Sequence, residues 1–300
     1  MLQRRDMRGS MKHIPVLLFI LAFVMVFSGC TTQVPETGSP IQAAVTLLPQ
    51  AEMVRAVGGD RVDVMVIVPP GMEPHTYEPS AGTLIALQKT GVWFKIGNGL
   101  MPFEDKLSGK VVALNPGILI VDTSDGVTLI HGSDPDSPAG NDPHVWLSPA
   151  NARIMVKNIA GGLIRIDPDN AAYYEGNAGK YIAKLDALDA KIKEEMNETP
   201  GRTIIVTHPA WSYFARDYAI EQVSIESEGK EPTARDIEAV VTLARQRNIS
   251  VVYIEPQYSA RSAEVIAAEI NGSIVIIDPL AGDYLENLYR VAALFAGKNA

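Results

Sequence analysis

The feature that most constrains the fold is a repeated alternation between two kinds of segment. Short apolar runs rich in β-branched residues are each followed by turn residues or by a stretch with helical periodicity. These runs occupy residues 62–68, 92–96, 203–207, 250–254 and 273–277. Such alternation is typical of an α/β fold, and it predicts mainly parallel sheets.

The middle of the chain interrupts this alternation with one long amphipathic segment at residues 169–198. Its apolar residues recur at steps of three and four: Tyr174, Ala178, Tyr181, Leu185, Leu188, Ile192 and Met196. That spacing predicts a single helix, which at ~1.5 Å per residue would be roughly 40 Å long. We therefore expect two α/β lobes, residues 41–166 and 201–300, joined by a rigid linking helix at 167–200, with a cleft between the lobes.

The N-terminus carries the pattern of an export signal. Basic residues precede an apolar stretch at 14–27, which is shorter than the roughly 20 residues that a membrane-spanning helix needs. The sole cysteine, Cys30, follows directly after Ser28 and Gly29, and residues 27–30 resemble a bacterial lipobox. We expect a signal peptide at 1–29 and a lipidated Cys30 with a flexible tether at 30–40. The protein would then be exported, either anchored to the outer face of the cytoplasmic membrane or in the periplasm.

Composition narrows the partners. The 300 residues are 47% hydrophobic, which excludes a disordered chain, and one cysteine excludes an internal disulfide framework. The net charge of −9 leaves no basic surface for nucleic acid and favours a cationic ligand.

Four metal-ligating residue types occupy equivalent places in the predicted fold. His75 lies in the loop after the run at 62–68, and His144 lies just before a helix that begins near Pro149. His208 and Asp278 each follow a predicted strand directly. Because ligands of open α/β sheets bind beyond the carboxyl ends of the strands, these side chains should converge on the cleft. Three imidazoles and one carboxylate suit Zn²⁺ and tolerate Mn²⁺ or Fe²⁺.

Other polar residues near these segments carry weaker signals. His131 lies in a polar loop and is interpreted as a surface residue, with cation collection near the site as the alternative. Four carboxylates are interpreted as surface groups or as neighbours of the metal ligands: Glu73, Glu78, Glu255 and Asp283.

Five segments together resemble the zinc/manganese solute-binding lipoproteins of ABC importers. They are GMEPHTYEP at 71–79, GNGL at 97–100, DPHVWL at 142–147, THPAWSYF at 207–214 and DPL at 278–280. The resemblance implies two α/β lobes joined by a rigid helix, with a metal held in the cleft by His75, His144, His208 and Asp278. It also implies delivery of that metal to a membrane permease driven by a cytoplasmic ATPase. We expect a monomer that is attached to membrane lipid through Cys30.

The third ligand position and the loop after His131 indicate which metal the protein carries. In this family a histidine at the third ligand position, here His208, goes with zinc, although the loop after His131 is short and holds no further histidine. Mn²⁺ or Fe²⁺ are the alternative cargoes.

Three other classes of protein stay open: a secreted metal-dependent hydrolase, a receptor for a different solute, and a surface adhesin. The hydrolase lacks support because no His-Glu-x-x-His or Gly-x-Ser-x-Gly segment is present.

Overall fold

The computed structural model describes residues 39–131, 140–199, 201–226 and 231–298. The predicted signal peptide, Cys30 and nearly all of the tether therefore lie outside the described residues. Within the described ranges, no helix combines enough length with enough apolar character to cross a membrane.

The first lobe is built on a four-stranded parallel sheet. Its strands are β1 (Ile41–Val45), β2 (Val62–Val66), β3 (Val92–Lys95) and β4 (Leu119–Asp122), in the order β2-β1-β3-β4. Its helices are α1 (Leu48–Gly58), α2 (Ala81–Leu87), α3 (Pro102–Leu114) and α4 (Pro149–Ile166). Short 3-10 turns occupy Gly59–Arg61 and Val145–Leu147.

The second lobe repeats this plan. Its parallel strands are β5 (Thr203–Val206), β6 (Glu221–Ser224), β7 (Val251–Ile254) and β8 (Ser273–Ile276), in the order β6-β5-β7-β8. Its helices are α6 (Ser212–Tyr218), α7 (Ala234–Gln246), α8 (Arg261–Glu269) and α9 (Tyr284–Phe295). In both sheets the strand order reverses once, between β1 and β3 and between β5 and β7, which creates a crevice at the carboxyl ends of those strands.

The predicted fold class is confirmed, with small differences at the ends of elements. All five predicted strands are present, and each is one or two residues shorter than its apolar run. All six pairings between these eight strands are parallel, as expected. Three strands were not predicted, namely β1, β4 and β6.

The long helix α5 (Ala171–Asn197) follows a 3-10 turn at Pro168–Asn170 and lies between the two sheets in the chain. All seven apolar residues of its predicted face are buried. The hydroxyl of Tyr181 donates to Glu52 of α1 at 2.7 Å, and the hydroxyl of Tyr218 in α6 donates to Asp189 of α5 at 2.9 Å. Because α5 is bonded to elements of both lobes, it acts as a common packing surface for them.

Two adjacent glycines in α4 provide a matched test of this packing. A methyl group at Gly162 would lie 2.7 Å from Phe94 and 2.8 Å from Val121, both on the sheet, whereas one at Gly161 would meet nothing within 4 Å. Gly161→Ala is expected to stabilise the protein by about 0.5–1 kcal/mol through helix propensity. Gly162→Ala should instead destabilise it by about 1–3 kcal/mol through overpacking. Urea unfolding of both variants checks this, and equal effects would contradict the packing described.

Candidate metal centre

His75 reaches the centre from a loop whose backbone is held by one carboxylate. Glu73 accepts hydrogen bonds from the backbone N–H groups of His75 at 2.8 Å and Thr76 at 2.7 Å. Burial opposes the charge of Glu73, but the attraction of His75 and these hydrogen bonds outweigh it and lower the pKa of Glu73 overall. The loop is therefore fixed close to the ring that it carries.

His144 is positioned by its near neighbour Asp142, which is fully buried. One carboxylate oxygen of Asp142 accepts from the backbone N–H of His144 at 2.9 Å and lies 2.8 Å from Nδ1 of the same residue. A carboxylate accepts hydrogen bonds, so this contact assigns the proton to Nδ1 and leaves the lone pair of Nε2 for a ligand. His144 is itself buried.

His208 follows β5 and is positioned in the same way by Glu226, whose Oε2 lies 2.7 Å from Nδ1. Its ring also stacks on Tyr258, with 4.7 Å between centroids and 11° between planes. Its backbone N–H donates to Glu255 at 3.3 Å. Both buried histidines therefore present Nε2 to the space between them.

The three imidazoles form a nearly equilateral triangle. The ring centroids are 5.3 Å apart for His75 and His144, 5.3 Å for His75 and His208, and 5.1 Å for His144 and His208. The two Nε2 atoms of His144 and His208 lie 3.3 Å apart. Zn–N bonds of ~2.0–2.1 Å in a tetrahedral shell place two ligand nitrogens ~3.3 Å apart, so this spacing fits a shared zinc ion.

The structure does not bring Asp278 into this group. Among the described residues, the ligand atoms that lie within 4.8 Å of one another come from His75, His144 and His208. Oδ1 of Asp278 instead accepts from Nε2 of Gln257 at 3.0 Å and from the backbone N–H of Leu280 at 2.9 Å. Asp278 therefore lies outside the group of ligand atoms that the structure brings together.

The other polar residues named from the sequence differ in how far they are buried. His131 is exposed and pairs with Asn141 in an isolated bridge, which agrees with a surface position. Glu78 and Asp283 are exposed. For Glu255 the surface alternative is wrong, because this side chain is fully buried beside His208 and its burial raises its pKa to about 8.

The sequence interpretation missed Glu226. It lies two residues after β6, the same distance that separates His208 from the end of β5, and β5 and β6 pair with Val206 opposite Ser224. The two side chains therefore lie level on neighbouring strands. A prediction of β6 as the partner of β5 would have identified this contact.

Hydrogen bonds connect the two lobes close to the metal centre. Nε1 of Trp146, two residues after His144, donates to the carbonyl of Pro279 at 2.8 Å. The hydroxyl of Tyr284 in turn donates to the carbonyl of Trp146 at 2.6 Å. These bonds join the His144 loop of the first lobe to the second lobe, so we expect the distance between His144 and His208 to change little during binding.

The chain is similar to known proteins of metal uptake. The family model described as zinc-uptake complex component A periplasmic, ZnuA, matches residues 44–296. The high-affinity zinc uptake system protein ZnuA of Bacillus subtilis strain 168 is 29% identical over an alignment of 279 residues, and the match covers 88% of this chain and 86% of that protein. The manganese ABC transporter substrate-binding lipoprotein PsaA of Streptococcus anginosus is 28% identical over an alignment of 275 residues, and the match covers 87% of each chain.

A solved structure described as a crystal structure of ZnuA is 37% identical to this chain, with a TM-score of 0.82. The match covers 87% of this chain and 100% of that one. Because the family model spans well over half of the residues, the chain belongs to the family of zinc-uptake complex component A, periplasmic, ZnuA.

Proposed function

We propose that this protein is the extracytoplasmic solute-binding component of a metal importer. It captures a divalent transition metal, foremost Zn²⁺, and delivers it to an ABC permease that a cytoplasmic ATPase drives. The observation that carries this proposal is the triangle of His75, His144 and His208, with two Nε2 atoms 3.3 Å apart. The names of the relatives, which refer to zinc uptake and manganese transport, support the same role.

The proposed ligands are His75, His144, His208 and Asp278. The histidines form the initial site, and Asp278 completes the shell. Asp142 and Glu226 hold Nδ1 of His144 and His208, so both rings keep the tautomer that ligates through Nε2. With four protein ligands the zinc shell is closed, which favours a carrier over a hydrolase, since catalytic zinc keeps a position open for water.

Zinc is preferred over Mn²⁺ or Fe²⁺ because three imidazoles suit it better than they suit Mn²⁺, which favours oxygen ligands. The relative that carries a manganese transporter's name keeps Mn²⁺ as the second candidate cargo.

The proposed organisation of the chain follows the role of a tethered receptor. Residues 1–29 are the signal peptide, and 30–40 are the lipidated Cys30 with its tether. Residues 41–166 and 201–300 are the two lobes, and 167–200 are the linking helix. The mature protein is a monomer attached to membrane lipid through Cys30, on the outer face of the cytoplasmic membrane or in the periplasm.

Metal content tests the proposed function. The purified chain is stripped with a chelator, offered Zn²⁺, Mn²⁺ and Fe²⁺ in competition, and its bound metal is measured by mass spectrometry. One equivalent of zinc is the expected result. One equivalent of manganese or iron would keep the receptor role and change the cargo, whereas a chain without metal would contradict the role itself.

A further inference from the structure

A cleft of about 370 Å³ opens beside the metal centre in the first lobe, and His75 is one of the residues that line it. Its volume falls within the ~300–1,000 Å³ range of small-molecule sites. Tyr77 and Phe103 also line it, and their rings pack edge to face with centroids 5.4 Å apart. The cleft therefore has an aromatic wall, and it ends at a proposed metal ligand.

Two lysines of α3 give this cleft a positive rim. Lys106 and Lys110 are one helical turn apart, so their side chains lie on the same face of the helix, and both line the cleft. Neither makes an ion pair or a hydrogen bond with any residue in the part of the chain that the structure describes. The acidic residue of the lining is the exposed Glu78. Two ammonium groups against one carboxylate leave a local positive charge on a chain whose net charge is −9.

A bound metal would offset the carboxylates at the inner end of the cleft. Glu73, Asp142 and Glu226 each bond to one of the three histidines, so a divalent ion there compensates carboxylates and does not extend the positive rim. The attraction for an anion comes from Lys106 and Lys110, which are both exposed. The place that suits an anion is therefore next to the place that suits the cation.

The state of Asp278 suggests how such an anion could be used. Its Oδ1 accepts hydrogen bonds from Gln257 and Leu280, and the carboxylate lies outside the group formed by the three histidines. Three imidazoles leave a tetrahedral zinc ion with one position for an oxygen ligand. A carboxylate that arrives with the metal can hold that position until Asp278 replaces it.

We propose that this cleft binds a small polycarboxylate that brings the metal to the protein as a chelate. The inference rests on the proposed function, and it names the chemical form of the cargo. One carboxylate of the chelator stays on the metal while the others pair with Lys106 and Lys110. Each imidazole replaces one oxygen ligand of the chelate, and Asp278 replaces the last carboxylate. Every step is a ligand exchange, without a change in the oxidation state of the metal.

Citrate is a suitable probe. Zinc citrate is mixed with the metal-free chain, and the rate of zinc uptake is followed by tryptophan fluorescence, because the ring of Trp146 lies 5.3 Å from that of His144. Uptake from zinc citrate and from citrate-free zinc is compared for the wild type and for Lys106→Ala/Lys110→Ala. The matched control is Lys157→Ala/Lys184→Ala, which removes the same charge from exposed helix positions that do not line the cleft. Zinc affinity without citrate is measured for all three proteins.

The cleft variant is expected to take up zinc from zinc citrate about tenfold more slowly, because two charge-assisted contacts are lost. The control should stay within about twofold of the wild type, since distant exposed charges are screened by salt. Zinc affinity without citrate should be equal in all three. Uptake from zinc citrate that is equally fast in the wild type and the cleft variant, or equally slowed in both variants, overturns this inference and leaves the proposed function intact. A wild-type chain that fails to bind zinc overturns the proposed function.

Discussion

Replacing His208 with alanine is expected to lower the affinity for zinc by about 100-fold or more. Loss of a carboxylate that merely orients a ligand typically costs ~10–100-fold, and this substitution removes the ligand itself. It also leaves Nε2 of His144 without the atom that lies 3.3 Å away. Competition against a fluorescent zinc chelator at neutral pH measures the change.

His131→Ala is the matched control for this substitution. It removes the same side chain from an exposed position, and His131 is not a member of the histidine triangle. Its zinc affinity should equal that of the wild type. Thermal unfolding of the metal-free proteins shows whether His208→Ala still folds. Equal zinc affinities for the two variants would show that His208 is not a metal ligand.

The sequence was sufficient to locate the histidines because of where parallel sheets place their strand ends. His75 and His208 follow strands, and His144 precedes a helix on the same edge of the fold, so an α/β interpretation alone brings them towards one cleft. The same rule does not give the distances between these side chains along the cleft. That distance depends on the order of the strands, which is not visible in a single sequence.

The position of Asp278 could not be predicted because it depends on the order of the strands. It follows β8, and β7 lies between β8 and the strand β5 that carries His208. The strand order therefore places Asp278 one strand farther from His208 than Glu255, which follows β7. Its hydrogen bonds to Gln257 and Leu280 were equally invisible, because they depend on loops whose course the sequence pattern does not predict.

Glu226 was not predicted as a neighbour of His208 because the strand that carries it to the site, β6, was not predicted. β6 reads Glu-Gln-Val-Ser, in which one of four residues is a strong strand former, so its pattern resembles a loop. Because β6 was not recognised, Glu226 had no assigned place in the sheet. Pairing of β5 with β6 supplies that place and with it the partner of His208.

A buried carboxylate also occupies the corresponding crevice of the first lobe. Glu104 at the start of α3 is fully buried and accepts hydrogen bonds from Thr46 after β1 and from the backbone N–H groups of Ile96, at 2.7 Å, and Gly97, at 3.2 Å. Burial dominates these bonds and raises the pKa of Glu104 from 4.5 to about 7. The side chain thus fills the point between β1 and β3 at which the strand order reverses.

Glu104 should make the stability of the protein depend on pH. Between pH ~4.5 and ~7 the folded chain keeps the proton on Glu104 while the unfolded chain has lost it, so the free energy of unfolding falls as the pH rises through this window. At about 1.4 kcal/mol for each pH unit, the loss from this one group amounts to about 3 kcal/mol and is complete above pH ~7. The measurement is urea unfolding of the metal-free chain between pH 5 and pH 8.

Glu104→Gln removes the titrating proton and should remove this part of the slope. Its amide oxygen can still accept from Thr46 and Ile96, but its NH₂ group then faces the N–H of Gly97, which costs about 1 kcal/mol. The variant is therefore expected to be the less stable protein at pH 5 and the more stable one at pH 8. Glu175→Gln, at an exposed position on α5, should keep the wild-type slope. The contribution of Glu255 is present in all three proteins, so it cancels in the comparison. Parallel slopes for Glu104→Gln and the wild type would mean that Glu104 is already ionised in the folded chain near pH 5, and that its hydrogen bonds outweigh its burial.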